Sequence, residues 1–303
     1  MTVRTRLAVL LAATVVVLAG CGDDPTAEEP QPASGSTTSQ EPTAGSEASD
    51  PSDPSADTES EADTDADTVT VPVYFTGTTP QGTRLYREFR RVDAADPLGG
   101  ALTLAASGDS LDPDYGTLVP GGSFETDGSA TISLPDDSWT RLPGDLSEAE
   151  GLLALQQLVY TAQGVLQSRD PITFTDSDGA ATQVFGYASE DGFTAGDPLR
   201  TLALVSVTSP EQGAKVRDVF TASGVSSSFE ATTPWQIRNA DGKVVEKGFS
   251  TAEGWMDKLY PWETEVDVSG LAPGEYTFVA MTDDPSSGEG GGPTEDSKVI
   301  IVG

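Results

Sequence analysis

Residue types able to do covalent chemistry are few in this chain, and their spacing narrows what that chemistry is. None of the 303 residues is histidine and a single one is cysteine. Ser-His-Asp and Cys-His catalysis, histidine metal sites and an internal disulfide are therefore excluded within this chain. The cysteine is Cys21, placed after Arg4 and Arg6, an apolar run from Leu7 to Leu18, and then Ala19 and Gly20. A basic start, a short apolar core and small residues before a cleavage point make a secretory signal, and a cysteine directly after them has the spacing of a bacterial lipobox. The expected chemistry is acylation. Cys21 becomes the first mature residue and carries acyl chains such as palmitate, more than one of which is needed for a stable anchor. The apolar run is about a dozen residues, short of the ~20 that cross a bilayer as a helix.

Other candidate groups are weaker. Gly108-Asp109-Ser110-Leu111 spells the nucleophile block of a hydrolase family, but a serine nucleophile of that kind needs a histidine base, so a turn is expected. No serine stands three residues before a lysine, as penicillin-recognising enzymes require. Gly288 to Gly292 follows two aspartates and includes Glu289, so it would repel phosphate rather than cradle it. Asp176, Asp178, Asp283 and Asp284 offer oxygens of the sort calcium prefers, yet complete no calcium loop, and solvated turns are expected there. Neither a metal nor a cofactor is expected. Two clusters merit attention as binding surfaces. Trp255, Met256, Tyr260 and Trp262 fall between predicted strands as a candidate partner surface, with cover for the open end of a core as the competing reading. Arg84, Arg87, Arg90 and Arg91 form the basic cluster of an acidic protein, a candidate anion site whose competitor is solvated positions paired with local acids.

Net charge is −33. Gly22 to Thr68 contains no aromatic or large aliphatic side chain, carries 14 acidic residues and no base, and is expected to be a disordered, self-repelling tether. From Val69 onward 35 acidic residues face 14 basic ones, a net of −21. Such a surface repels nucleic acid, which is not expected as a partner.

The elements that must position these groups follow from periodicity. Val69 to Phe75 and Thr83 to Val92 read as strands, the first kept to an edge by Pro72. A short helix is expected over Pro97 to Ala106, a strand over Ala130 to Leu134, and a longer helix after Leu146 with Ser147 and Glu150 as a capping box. Strand-like PITF from Pro171, a turn at Asp178-Gly179 and Thr182 to Phe185 complete a mixed α/β part. Beyond the polar stretch Ser189 to Arg200 the pattern changes to short strands: Leu202 to Thr208, Val216 to Ser223, Trp235 to Asn239, Lys243 to Lys247, Thr264 to Val268, Tyr276 to Met281 and Lys298 to Val302. About seven strands in about a hundred residues, with a hairpin signal at Asp241-Gly242, predict an antiparallel sandwich.

These stretches resemble two known modules. VPVYF at Val71 to Phe75, LYREFRRV at Leu85 to Val92, PLGGALTLAASG at Pro97 to Gly108, and LALQQLVYT followed by ITFTDSDG at Ile172 to Gly179 are similar to a GerMN domain, the sporulation and spore germination module. SVTSPEQGAKV at Ser206 to Val216, the Phe229-Glu230-Ala231 triplet, PWQIRNADGKVVEKG and GEYTFVAMTDD resemble the immunoglobulin-like domain of bacterial spore germination proteins. The resemblance implies an envelope lipoprotein without established enzymatic activity and supplies no catalytic residue; a non-enzyme is expected. The expected organisation is multidomain: a lipoprotein signal over 1–20, the acidic linker over 21–68, a GerMN-like α/β domain over 69–188, a linker over 189–201 and an all-β immunoglobulin-like sandwich over 202–303. The expected location is the extracytoplasmic face of the membrane, held through Cys21, with an envelope protein or cell-wall glycan as partner. The alternative is a solute-binding or sensory lipoprotein with a ligand pocket in the GerMN-like domain.

Overall fold

The computed structural model describes residues 67–284, 288–289 and 291–303; Cys21, the signal segment and nearly all of the acidic tract lie outside the described residues. β1 (Thr68–Thr79) and β2 (Gly82–Asp93) form an antiparallel hairpin in register from Thr68 opposite Asp93 to Thr79 opposite Gly82. The turn between them is fixed by Thr79, whose Oγ1 accepts the Gln81 N–H at 3.2 Å and donates to the Gly82 carbonyl at 2.7 Å. The hairpin is a two-stranded sheet, which suits Pro72 because an edge strand does not need its missing N–H.

Helix α1 (Pro97–Ser107) starts at Asp96, whose Oδ1 accepts the Gly99 N–H at 2.8 Å, and Pro97 sits in the first turn where no amide bond is lost. β3 (Thr131–Ser133) precedes α2 (Glu148–Leu166) and pairs in parallel with β4 (Thr173–Thr175) after it. The capping box expected of α2 is present: Ser147 Oγ accepts the Glu150 N–H at 3.3 Å and Glu150 Oε2 accepts the Ser147 N–H at 2.8 Å. Gly164, a poor helix former in the last turn, has a packing reason. A Cβ there would stand 2.9 Å from Pro72 Cγ, so glycine lets α2 lie directly on β1. Trp139 is fully buried at the centre of this half, edge-on to Phe124 at 5.3 Å and stacked on Phe185 at 5.9 Å, with Leu155, Leu158 and Phe174 around it.

Short β5 (Gln183–Val184) and β6 (Tyr187–Ala188) close this part. The stretch 189–201 is packed in several places. Ser189 is buried and accepts the Phe174 N–H at 2.6 Å, Gln156 Oε1 accepts the Gly196 N–H at 2.7 Å, and Asp197 caps α3 (Pro198–Thr201).

Eight strands follow: β7 (Val205–Ser209), β8 (Ala214–Val216), β9 (Val219–Ser226), β10 (Thr232–Asn239), β11 (Val244–Thr251), β12 (Tyr260–Asp267), β13 (Gly274–Met281) and β14 (Glu295–Val302). They form one sheet of order β11-β10-β13-β14-β8 and another of order β12-β9-β7. Val205, Val207, Ile237, Trp262, Val266, Phe278 and Ile300 fill the core between the sheets. At the predicted Asp241-Gly242 hairpin, Asn239 Oδ1 accepts the N–H groups of Asp241 and Lys243. Both halves of the described structure belong to one compact unit that runs to Gly303. Their junction is β2 against the start of the sandwich: Ala203 N–H donates to the Leu85 carbonyl at 2.9 Å, and Leu85 bridges Leu202 in parallel.

Candidate functional site

Tyr86 and Arg87 are consecutive on β2, so their side chains leave the strand on opposite faces and meet the sandwich in two different ways. On the Tyr86 side the buried charges of the junction are paired with one another, beside a cavity of about 710 Å³ whose charged lining includes Asp112, Arg238, Glu295 and Asp296. Lys298 is buried, and its Nζ donates to Asp112 Oδ2 at 2.6 Å, to Asp296 Oδ1 at 3.1 Å and to the Tyr115 hydroxyl at 2.8 Å. Those bonds use all three ammonium protons. Tyr115 in turn donates to Asp296 Oδ1 at 2.6 Å, Val207 N–H donates to Asp296 Oδ2 at 2.5 Å, and Tyr86 stacks on Tyr115 with ring centroids 4.8 Å apart. Burial works against the Lys298 charge, but Asp296 and Asp112 outweigh it and hold the ammonium above its ordinary value. Burial likewise pushes the Tyr115 hydroxyl well up, reinforced by the same two aspartates. Asp112 comes from the first half and Lys298 from the last strand, so this cluster ties the two halves together.

On the Arg87 side the junction is open. A cavity of about 460 Å³ lies between β1, β2, α2 and its C-terminal loop, α3, β9 and the segment before β12. Tyr74, Tyr160, Pro198, Leu202, Val225 and Leu259 give it apolar and aromatic walls, and its charged lining is Arg87, Arg169 and Lys258, with no carboxylate among the lining residues. Arg87 Nη2 donates to Thr208 Oγ1 at 3.2 Å and its guanidinium lies 4.8 Å from the Phe89 ring centroid. The Arg87 Nε–H is buried without a protein partner. Arg169 and Lys258 are exposed, and Lys258 Nζ stands 4.6 Å from the Tyr260 ring centroid. Burial pushes Tyr74 above its ordinary value against the pull of Arg87 and Arg169, and pushes Tyr160 to about 12. Tyr160 holds its place by donating to the Gly196 carbonyl at 2.8 Å.

The predicted arginine cluster is thus divided. Arg87 lines the cleft. Arg90 is in ion pairs with Glu88 and Asp109, both at 3.5 Å, and donates to the Asp109 carbonyl. Arg84 donates to the Thr83 carbonyl at 3.2 Å beside Glu150 and Arg200, and Arg91 is exposed on the strand end. A single site made of all four is corrected by the alternation of β2, which sends neighbours to opposite faces.

The aromatic cluster is divided as well. Trp262 is 3 % exposed inside the sandwich, because β12 starts at Tyr260 rather than at Thr264; as a partner-binding residue it is corrected to a core residue. Tyr260 is half-buried, packs against the same core and donates to Asp257 Oδ1 at 2.8 Å. Trp255 is half-buried under Phe229, edge-on at 5.1 Å, and Met256 is 66 % exposed beside it. Phe229, which no partner-site reading included, therefore shares this end of the sandwich with Trp255 and Met256. Glu230 and Ala231 after it take positive φ of 50° and 59°, a left-handed turn that Ser228 braces by accepting the Asp283 N–H at 2.7 Å.

Gly108 to Leu111 is a turn: Gly108 caps α1 in the left-handed conformation and Ser110 Oγ donates to the carbonyls of Asp112 and Tyr115. Asp176 Oδ1 accepts the N–H groups of Asp178 and Ala180.

Sequence reasoning missed Lys298, Asp112, Asp296 and Tyr115, and missed Arg169 and Lys258 as partners of Arg87. One signal was available. Asp296 and Lys298 share strand parity with Ile300 and Val302, which are buried, so two charges on an inward face announced an internal ion cluster.

Comparison with known proteins bears on the second half. No curated protein matches this chain. Among solved structures it is similar to CopC from Methylosinus trichosporium OB3b, at 19% identity over 32% of this chain and 92% of that one with a TM-score of 0.22. It is similar to an engineered protein at 14% identity over 50% of this chain and 36% of that one, TM-score 0.26. It is also similar to a lytic polysaccharide monooxygenase from Jonesia denitrificans at 11% identity over 31% and 60%, TM-score 0.20. Likeness of that degree transfers neither fold nor ligand. A family model does match: residues 204–289 fit the immunoglobulin-like domain of bacterial spore germination, which supports an immunoglobulin-like domain in the C-terminal half.

Proposed function

We propose that this is a non-enzymatic, lipid-anchored protein of the bacterial cell envelope that acts through contacts with another envelope protein or with cell-wall glycan. The observation that carries the reading is Leu18-Ala19-Gly20-Cys21 behind a basic and apolar segment, in a chain with no other cysteine. Acylated Cys21 holds the chain at the outer face of the membrane. The acidic tract after it is a spacer, and a GerMN-like module over 69–188 and an immunoglobulin-like module over 202–303 are what it displays. The order of hairpin, α1 and α2 over the quoted motifs supports the first module, and the family match supports the second. Phe229, Trp255 and Met256 at the sandwich end are the proposed contact surface, since aromatic and methionine side chains in loops recur at recognition sites.

The test is fractionation of cells expressing wild-type protein and Cys21→Ser. Wild type is expected in the membrane fraction and to incorporate labelled palmitate, while Cys21→Ser is expected to be folded, unlabelled and released. Membrane retention of the variant would overturn the anchor.

A further inference from the structure

We infer that the open cleft between the two halves is a binding site for a small organic oxyanion, a phosphate or carboxylate attached to a short aromatic or apolar body. The folded part carries a net charge of −21, yet the charged lining of this cleft is Arg87, Arg169 and Lys258. None of the three is in an ion pair with a carboxylate among the described residues, in contrast to Arg90, Arg238 and Lys298. Cations kept apart from an abundance of carboxylates are available to an anion from outside. Arg87 adds a more specific signal. Its Nη2 donates to Thr208 Oγ1 at 3.2 Å and its guanidinium lies 4.8 Å from the Phe89 ring centroid, which hold the group in place at the cleft. Arg87 also lines the cleft, and guanidinium groups favour the forked oxygens of phosphate and carboxylate.

The walls set the rest of the ligand. Tyr74 and Tyr160 have ring centroids 5.3 Å apart, and Leu202, Val225 and Leu259 line the same space. A bare inorganic ion would leave that surface wet, whereas an aromatic or short apolar body would cover it. The volume, about 460 Å³, is that of a small-molecule pocket. The two halves contribute together: Tyr74, Arg87, Tyr160 and Arg169 precede the sandwich, and Val225, Lys258 and Leu259 belong to it. This inference is independent of the anchor, because it concerns residues far along the chain from Cys21.

The experiment is calorimetric titration of the full chain carrying Cys21→Ser with phenyl phosphate, inorganic phosphate and phenol. Saturable binding of phenyl phosphate is expected, weakened by salt, with inorganic phosphate at least about tenfold weaker and no binding of phenol. Arg169→Gln and Lys258→Gln are exposed changes that leave the fold intact; each is expected to weaken phenyl phosphate about fivefold, and both together more than tenfold. Arg200→Gln, a cation outside the cleft, is expected to change nothing. Absence of saturable binding, equal loss in Arg200→Gln, or unaltered affinity in the Arg169→Gln, Lys258→Gln double variant would overturn the site. Equal affinity for inorganic and phenyl phosphate would overturn the assignment of an apolar body.

Discussion

The two faces of β2 meet the sandwich with opposite solutions to the same problem of placing charge at a junction. On one face Lys298 is buried with Asp112, Asp296 and Tyr115, and every ammonium proton has an acceptor. On the other, Arg87, Arg169 and Lys258 border an open cleft with no carboxylate in its lining and one buried N–H unpaired. The difference separates structural charge from available charge. A saturated cluster fixes geometry because withdrawing Lys298 or an aspartate leaves a buried charge without its partner. Arg169 and Lys258, exposed at the open edge with no carboxylate partner among the described residues, do little for stability and can take an anion.

The comparison is broken most severely by Lys298→Met. Two buried aspartates would lose their counter-charge, and unfolding in urea is expected to show a loss of about 3–5 kcal/mol. A loss below about 1 kcal/mol would mean that the cluster does not join the halves. Trp262→Ala tests the core that receives Lys298's strand, and by removal of a buried indole is expected to cost at least about 3 kcal/mol in the same assay.

Alkaline titration gives an intermediate effect. Tyr160 has a folded pKa of about 12, above the ordinary value near 10. Its folded form therefore holds the phenolic proton more firmly than the unfolded chain does. That contribution to stability is fully present below about pH 10 and is lost as pH rises through about 12. Absorbance at the tyrosinate band should accordingly include a step near pH 12 that is absent from Tyr160→Phe. The smallest effect belongs to the open face: Arg169→Gln and Lys258→Gln are each expected to change stability by less than about 0.5 kcal/mol. A larger loss would make these cations part of the junction's structure.

What the sequence made legible follows the range of the interactions involved. Helix α2 was readable to the residue because its capping box is local, Ser147 to Glu150. The strands β10 and β13 were readable because alternation and turn chemistry are local too. β12 was read four residues short, since Pro261 argues against a strand; it is tolerated there because β12 is an edge that pairs with β9 alone. β8, three residues long and held by parallel pairing to β14, gave no periodic signal. The junction was illegible for a different reason. Lys298 and Asp112 are 186 residues apart, and the cleft gathers residues from Tyr74 to Leu259, so neither arises from any local pattern. Arg87 was singled out as a candidate anion ligand, but its neighbours in sequence are not its neighbours in space.

The most direct measurement of the contrast between the two faces is a crystal structure of the full chain carrying Cys21→Ser grown with phenyl phosphate. The phosphate is predicted within hydrogen-bonding distance of Arg87 and Arg169, with the phenyl ring against Tyr74 and Tyr160 and the Lys298 cluster unchanged. Phosphate seated elsewhere, beside Arg238 or at the Lys298 cluster, with the cleft holding only water, would contradict the account.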